Sequence, residues 1–216
     1  MLKQLIETQP VNFISMLGQD KFFQGKRYRA AIVCFNRYLE TSPDDVSIRL
    51  NLANAYNRVG MYNQAEAAVN HVIDHNLGVS DYGVGVAYEN KSTAALGRKD
   101  YRNGIDYAYK SFEANPNIHP LFTVQLAAAQ LGNMRALETA VQKLQEFEPP
   151  KYIELKLEID AVDAYAMFKS NNREGARKLV RAWKDLDRAE GKVISFWRQY
   201  PDGMDVARTW AQLMQN

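Results

Sequence analysis

The sequence predicts an all-α fold assembled from repeated helix hairpins, and three observations predict it. Apolar residues recur at intervals of three and four, as in Ala65, Ala68, Val69, Val72 and Ile73, which is the spacing of one helix face, and the alternation of a half-buried strand is nearly absent. The landmarks Tyr28, Tyr62, Tyr101 and Met134 stand 34, 39 and 33 residues apart, a period that marks a stack of similar units. Pro43, Pro116, Pro149 and Pro201 fall at the ends of helical patterns, where a missing N–H does least harm.

The units follow in order. The first, over 12–43, carries Phe22, Gly25, Tyr28, Ala31, Phe35 and Pro43. The second, over 46–77, is the most regular: Ala53 with Tyr56 three residues on, then Gly60, Tyr62 and Ala65. Small residues at such positions let two helices approach closely, and a glycine between them permits a tight turn. The third, over 82–116, repeats the pattern as Tyr101, Gly104, Ile105, Phe112 and Pro116, after about five extra residues placed in the stretch 78–85. There Ser80 and Asp81 suit a helix cap, and Gly83 and Gly85 are assigned to the loop between repeats. The fourth unit, 118–149, is a weaker copy, with Ala128, Gly132, Met134, Leu137, Val141 and Leu144. A degenerate fifth spans 151–188: Ala164 and Met167, a turn at Asn171–Glu174, then Ala176, Val180 and Trp183. Two short amphipathic helices over 189–216, split at Tyr200–Gly203 and anchored by Trp197 and Trp210, form the expected cap, because an open last repeat would expose its apolar face.

Composition narrows the chemistry. With 46% hydrophobic and 24% charged residues the chain has ordinary globular content, and 27 basic against 25 acidic residues leave a net charge of +2, no electrostatic footprint for nucleic acid. The single cysteine, Cys34, sits in an apolar run and closes no internal disulfide, which fits a reducing compartment. The first ten residues are too broken by Glu7 and Pro10 for a secretion signal or a membrane span, so a cytoplasmic location is expected. No phosphate-binding glycine motif and no nucleophile with a base beside it is present, so neither an enzyme nor a cofactor is expected. His71 and His75, four apart beside Asp74, can share a helix face, but two ligands without a third rarely hold a metal, and none is expected.

The order of small, aromatic and glycine landmarks from Leu50 to Leu77 resembles the tetratricopeptide repeat (TPR) family, well over about 12–150 and loosely over 151–188. That resemblance implies a right-handed superhelical solenoid of four to five hairpins. Its first helices would line a concave groove holding a partner's peptide or helix. The matching slots are Met16, Asp20 and Phe23; Leu50, Asn54, Asn57 and Arg58; Glu89 and Thr93; Phe122 and Leu126; and Tyr165 and Phe168. Phe122, Leu126 and Phe168 suit packing inside the superhelix or under the tail equally well. One TPR subgroup grips a C-terminal carboxylate. Here Asn51 matches one of its slots, but Met16, Asp20, Glu89 and Thr93 replace the lysines and amides it needs, so that mode is rejected.

Arg173, Arg177, Arg181, Lys184 and Arg188 fall on one stripe of the final hairpin helix and offer an acidic partner or anionic surface a weak docking face, diluted by Glu174, Asp185 and Asp187. The expected function is a protein-interaction adaptor. Two alternatives are a chaperone for a secreted or membrane-destined client and a self-assembling scaffold.

Overall fold

The structure, a computed structural model, describes residues 9–75, 80–186 and 189–215. Among them the regular elements are all helical. A short helix α1 (Val11–Met16) continues into a π-helical stretch, Leu17–Phe23. There follow α2 (Tyr28–Leu39), α3 (Val46–Arg58), α4 (Tyr62–Asp74), α5 (Asp81–Gly97), α6 (Tyr101–Ala114), α7 (Ile118–Leu131) and α8 (Met134–Phe147). The chain closes with α9 (Pro149–Glu154), α10 (Lys156–Lys169), α11 (Arg173–Arg181), α12 (Ala189–Trp197) and α13 (Gly203–Met214). None of the described helices is long and apolar enough to cross a membrane.

The four period-setting landmarks are each the first residue of a hairpin's second helix: Tyr28 of α2, Tyr62 of α4, Tyr101 of α6 and Met134 of α8. Two residues before each of these starts, and before Arg173 of α11, the backbone turns left-handed. It does so at Lys26 (φ 57°), Gly60 (78°), Lys99 (63°), Gly132 (67°) and Asn171 (66°). One turn geometry therefore recurs through all five hairpins. The fifth is degenerate in sequence and regular in backbone. Several caps recur as well: Asp100, Asn133 and Asn172 each accept a hydrogen bond from a backbone N–H in the first turn of α6, α8 and α11, satisfying a donor the helix itself cannot.

First helices stack on first helices, α3 on α5, α5 on α7 and α7 on α10, while α4, α6, α8 and α11 pack against their own hairpin partners as an outer row. Ala53 and Ala65 are fully buried at the α3–α4 crossing, as the motif requires. Gly83 and Gly85 belong to α5 and not to the preceding loop: Ser80 caps the helix, accepting from the Gly83 N–H at 3.3 Å. Asp81, Tyr82 and Val84 of the predicted insertion are helical as well, while Gly78 and Val79, with the end of the second unit at Leu77, lie outside the described residues. Gly85 is needed for closeness, since a Cβ there would lie 2.3 Å from Cβ of Asn115, and its carbonyl accepts from Ser111 Oγ at 2.8 Å.

The largest cluster of buried side chains runs from Leu96 through α7 and α10 into the tail, and includes Trp197 and Trp210. Helices α12 and α13 lie against α10, and α13 also packs on α11. In consequence α7 is buried on every side from Pro120 to Ala129, apolar and polar residues alike.

Candidate functional site

Where α3, α5 and α7 present their inner faces, a cavity of about 530 Å³ opens. Asn51, Asn54, Asn57 and Arg58 come from α3, and Val86, Glu89, Asn90 and Thr93 from α5. His119 and Thr123 come from α7, and Arg198 to Pro201 from the turn between α12 and α13. Residues three and four apart share a helix face, which is why Asn51, Asn54 and Arg58 emerge together, as do Val86, Glu89, Asn90 and Thr93.

The sequence places five of its groove residues here: Asn54, Asn57, Arg58, Glu89 and Thr93. The others lie elsewhere. Leu50 is buried in the α3–α4–α5 core, because its side chain points across the hairpin. Phe122 and Leu126 are fully buried: the tail covers this part of the concave surface, setting Phe196, Trp197 and Tyr200 against Phe122 at ring centroid separations of 4.8, 6.0 and 6.4 Å. Tyr165 is buried too, and Phe168 is half-buried beneath the Arg173 guanidinium, 5.5 Å from its ring. Met16 is 51% exposed on the first unit, near Asp20, while Phe23 packs edge-on against Tyr28 at 5.6 Å and so supports the first hairpin.

Asn57 also differs from the expectation of a side chain free to grip a ligand. It is only 8% exposed, and its amide donates to the Asn90 carbonyl at 3.0 Å and to Asn90 Oδ1 at 3.2 Å, tying α3 to α5. Its own Oδ1 is buried without a hydrogen bond. Asn54 and Arg58 are more accessible: Arg58 Nε donates to Asn54 Oδ1 at 3.3 Å, and Nη1 reaches the Gln199 carbonyl at 3.4 Å. That last bond crosses 141 residues of sequence and closes one end of the groove. The closure is reinforced by the His119 ring nitrogen 3.4 Å from the Tyr200 hydroxyl, and by Tyr101, whose hydroxyl donates to Asp202 at 2.8 Å. No local pattern in Arg198–Pro201 announces such a role. The only signal was that the segment is a turn.

The cavity's electrostatics follow from burial. Glu89 is held above the usual carboxylate range, chiefly by desolvation, and the opposing pull of His119 and Arg58 does not cancel it. Burial likewise raises the Tyr200 phenol, and the nearby Glu89 charge adds to the rise.

The remaining features are structural. Cys34 is buried, which pushes its thiol up to about 11. His71 and His75 stack at 4.2 Å, His71 bonded to Asp44 and His75 to the His71 carbonyl. The basic stripe does not run along one helix: α11 ends at Arg181, Lys184 follows in a turn, and Arg188 lies outside the described residues.

The tetratricopeptide repeat family matches residues 22–82. The fold is similar to that of a thermophilic TPR protein from Thermus thermophilus, with a TM-score of 0.58 at 17% identity, over 96% of this chain and 100% of that one. No curated protein matches the chain. Residues 22–82 thus match the tetratricopeptide repeat in sequence, and the same hairpin turn and stacking, continued to α11, give the chain a fold similar to that of a tetratricopeptide repeat solenoid.

Proposed function

We propose that the protein is a non-enzymatic adaptor that holds a peptide segment of a protein partner in the cavity between α3, α5, α7 and the C-terminal turn. Tetratricopeptide repeats generally mediate protein–protein interaction, and the observation that carries the reading here is the convergence of Asn54, Arg58 and Thr93 on one concave space. Amide, hydroxyl and guanidinium groups of this kind can pair with a ligand's backbone. The cavity is closed at one end by Gln199 and Tyr200, so the segment it suits is short, a chain end or loop tip, and not a long helix running through.

The test follows from the hydrogen bonds. Replacing Asn57 would cut the α3–α5 tie and confuse folding with binding, so the informative variant is Asn54→Ala with Arg58→Ala. Against a partner identified by pull-down and mass spectrometry, calorimetry should show affinity reduced by roughly 1–3 kcal/mol, with melting little changed. Charge reversal at Arg177 and Arg181 should leave that affinity intact. If the basic-stripe variant alone abolishes binding, with steep salt dependence, the partner docks on the outer face and the cavity reading fails.

A further inference from the structure

The cavity has an imbalance between acceptors and donors. Glu89 is the one carboxylate among its lining residues, and it is half-buried. The two nearby basic side chains have hydrogen-bond partners elsewhere: Arg58 at Asn54 Oδ1 and the Gln199 carbonyl, and the His119 ring at the Tyr200 hydroxyl. On the adjoining wall the Asn57 amide oxygen is buried and accepts nothing. The Thr93 hydroxyl donates to the Glu89 carbonyl, which leaves its oxygen lone pairs as further acceptors. Buried acceptors without donors are costly, and a carboxylate more than most. At the rim the order reverses, because the guanidinium groups of Arg58 and Arg198 are exposed.

We propose that this cavity receives a primary ammonium group, carried by a lysine side chain or by the amino terminus of a partner peptide, with Glu89 as its counter-ion. Thr93, Thr123 and the Asn57 amide supply the surrounding acceptors. The exposed arginines meet the carbonyl oxygens of the peptide that carries the ammonium, so a bare cation, which they repel, is disfavoured. Glu89 is held above the usual carboxylate range in agreement with this, since desolvation outweighs the opposing pull of His119 and Arg58.

The assignment rests on the cavity being the partner site, and the two can fail separately. The full chain is titrated with acetyl-Gly-Lys-Gly-amide, its Nε-acetyl-lysine counterpart and Gly-Gly-Gly-amide, with the side-chain amide resonances of Asn57 and Asn90 as the reporter. Saturable shifts are expected with the lysine peptide or the free-amine peptide, whichever source the site takes, and none with the acetyl-lysine peptide. Glu89→Gln should weaken the responding peptide by about tenfold or more. Similar shifts from lysine and acetyl-lysine peptides, no saturable shift from either amine, or unchanged affinity in Glu89→Gln would each overturn the proposal. If Glu89→Gln folds poorly, the acetylated and free probes make the same comparison on the unaltered protein. Partner binding lost in the Asn54/Arg58 variant but kept in Glu89→Gln sinks only the ammonium assignment, whereas binding kept in both sinks the cavity as the partner site.

Discussion

At the scale of single residues, two positions isolate one physical effect each. Gly60 is left-handed at φ 78°, and a Cβ added there would meet nothing within 4 Å. Gly60→Ala therefore carries backbone strain without a packing clash, and urea titration should show a loss of about 1–2 kcal/mol. Lys26 and Lys99 already hold the same turn with a side chain, so the fold tolerates that strain elsewhere. Asp163 tests burial of charge. Its carboxyl is pushed from 3.8 up to about 7, first by desolvation, then by Asp160 and Glu138, with Lys156 pulling the other way. Between those two values the folded chain keeps a proton that the unfolded chain has released, so stability falls as pH rises through that window. Asp163→Asn should remove its share of this loss: melting compared at low pH and at mildly alkaline pH should show the variant weakened by ~1–3 kcal/mol less than the parent, with the raised Glu89 and Glu158 carboxyls accounting for a residual loss in both.

At the scale of elements, the hairpin is held by small residues at the crossing and by a turn that is the same each time. Ala53 and Ala65 are fully buried, so either one changed to Trp forces α3 and α4 apart at a cost of ~1–3 kcal/mol or more, readable as a lowered melting temperature. A variant that melts like the parent would mean that the crossing lies elsewhere. The period marked by Tyr28, Tyr62, Tyr101 and Met134 was legible because each recurs at the same place in its unit; that each opens its hairpin's second helix is what the structure adds. The extension of α5 back through Gly83 and Gly85 was not. Glycine pairs signal a loop locally, and only the approach of Asn115 from the next helix explains them inside one.

At the scale of the whole molecule, the tail does more than shield an end. Trp197 is fully buried between α7 and α10, donating from its indole to the Glu158 carbonyl at 3.1 Å, and the turn that follows it forms a wall of the cavity. Trp197→Ala should cost roughly 3–5 kcal/mol by guanidinium titration, since a fully buried indole leaves a large void. A loss near zero would mean that the tail packs loosely and does not shape the cavity. What the sequence by itself determined is the repeated part: helical spacing, the period and the emergence of Asn54 and Arg58 from one face, all of which depend on neighbours within about one repeat. Only the tertiary structure decided that Phe122 and Leu126 are core, that Asn57 ties two repeats together, and that Gln199 and Tyr200 close the groove. The reason is distance along the chain: the Arg58–Gln199 bond joins residues 141 apart, and no periodicity in either segment encodes the surface on which the other comes to rest.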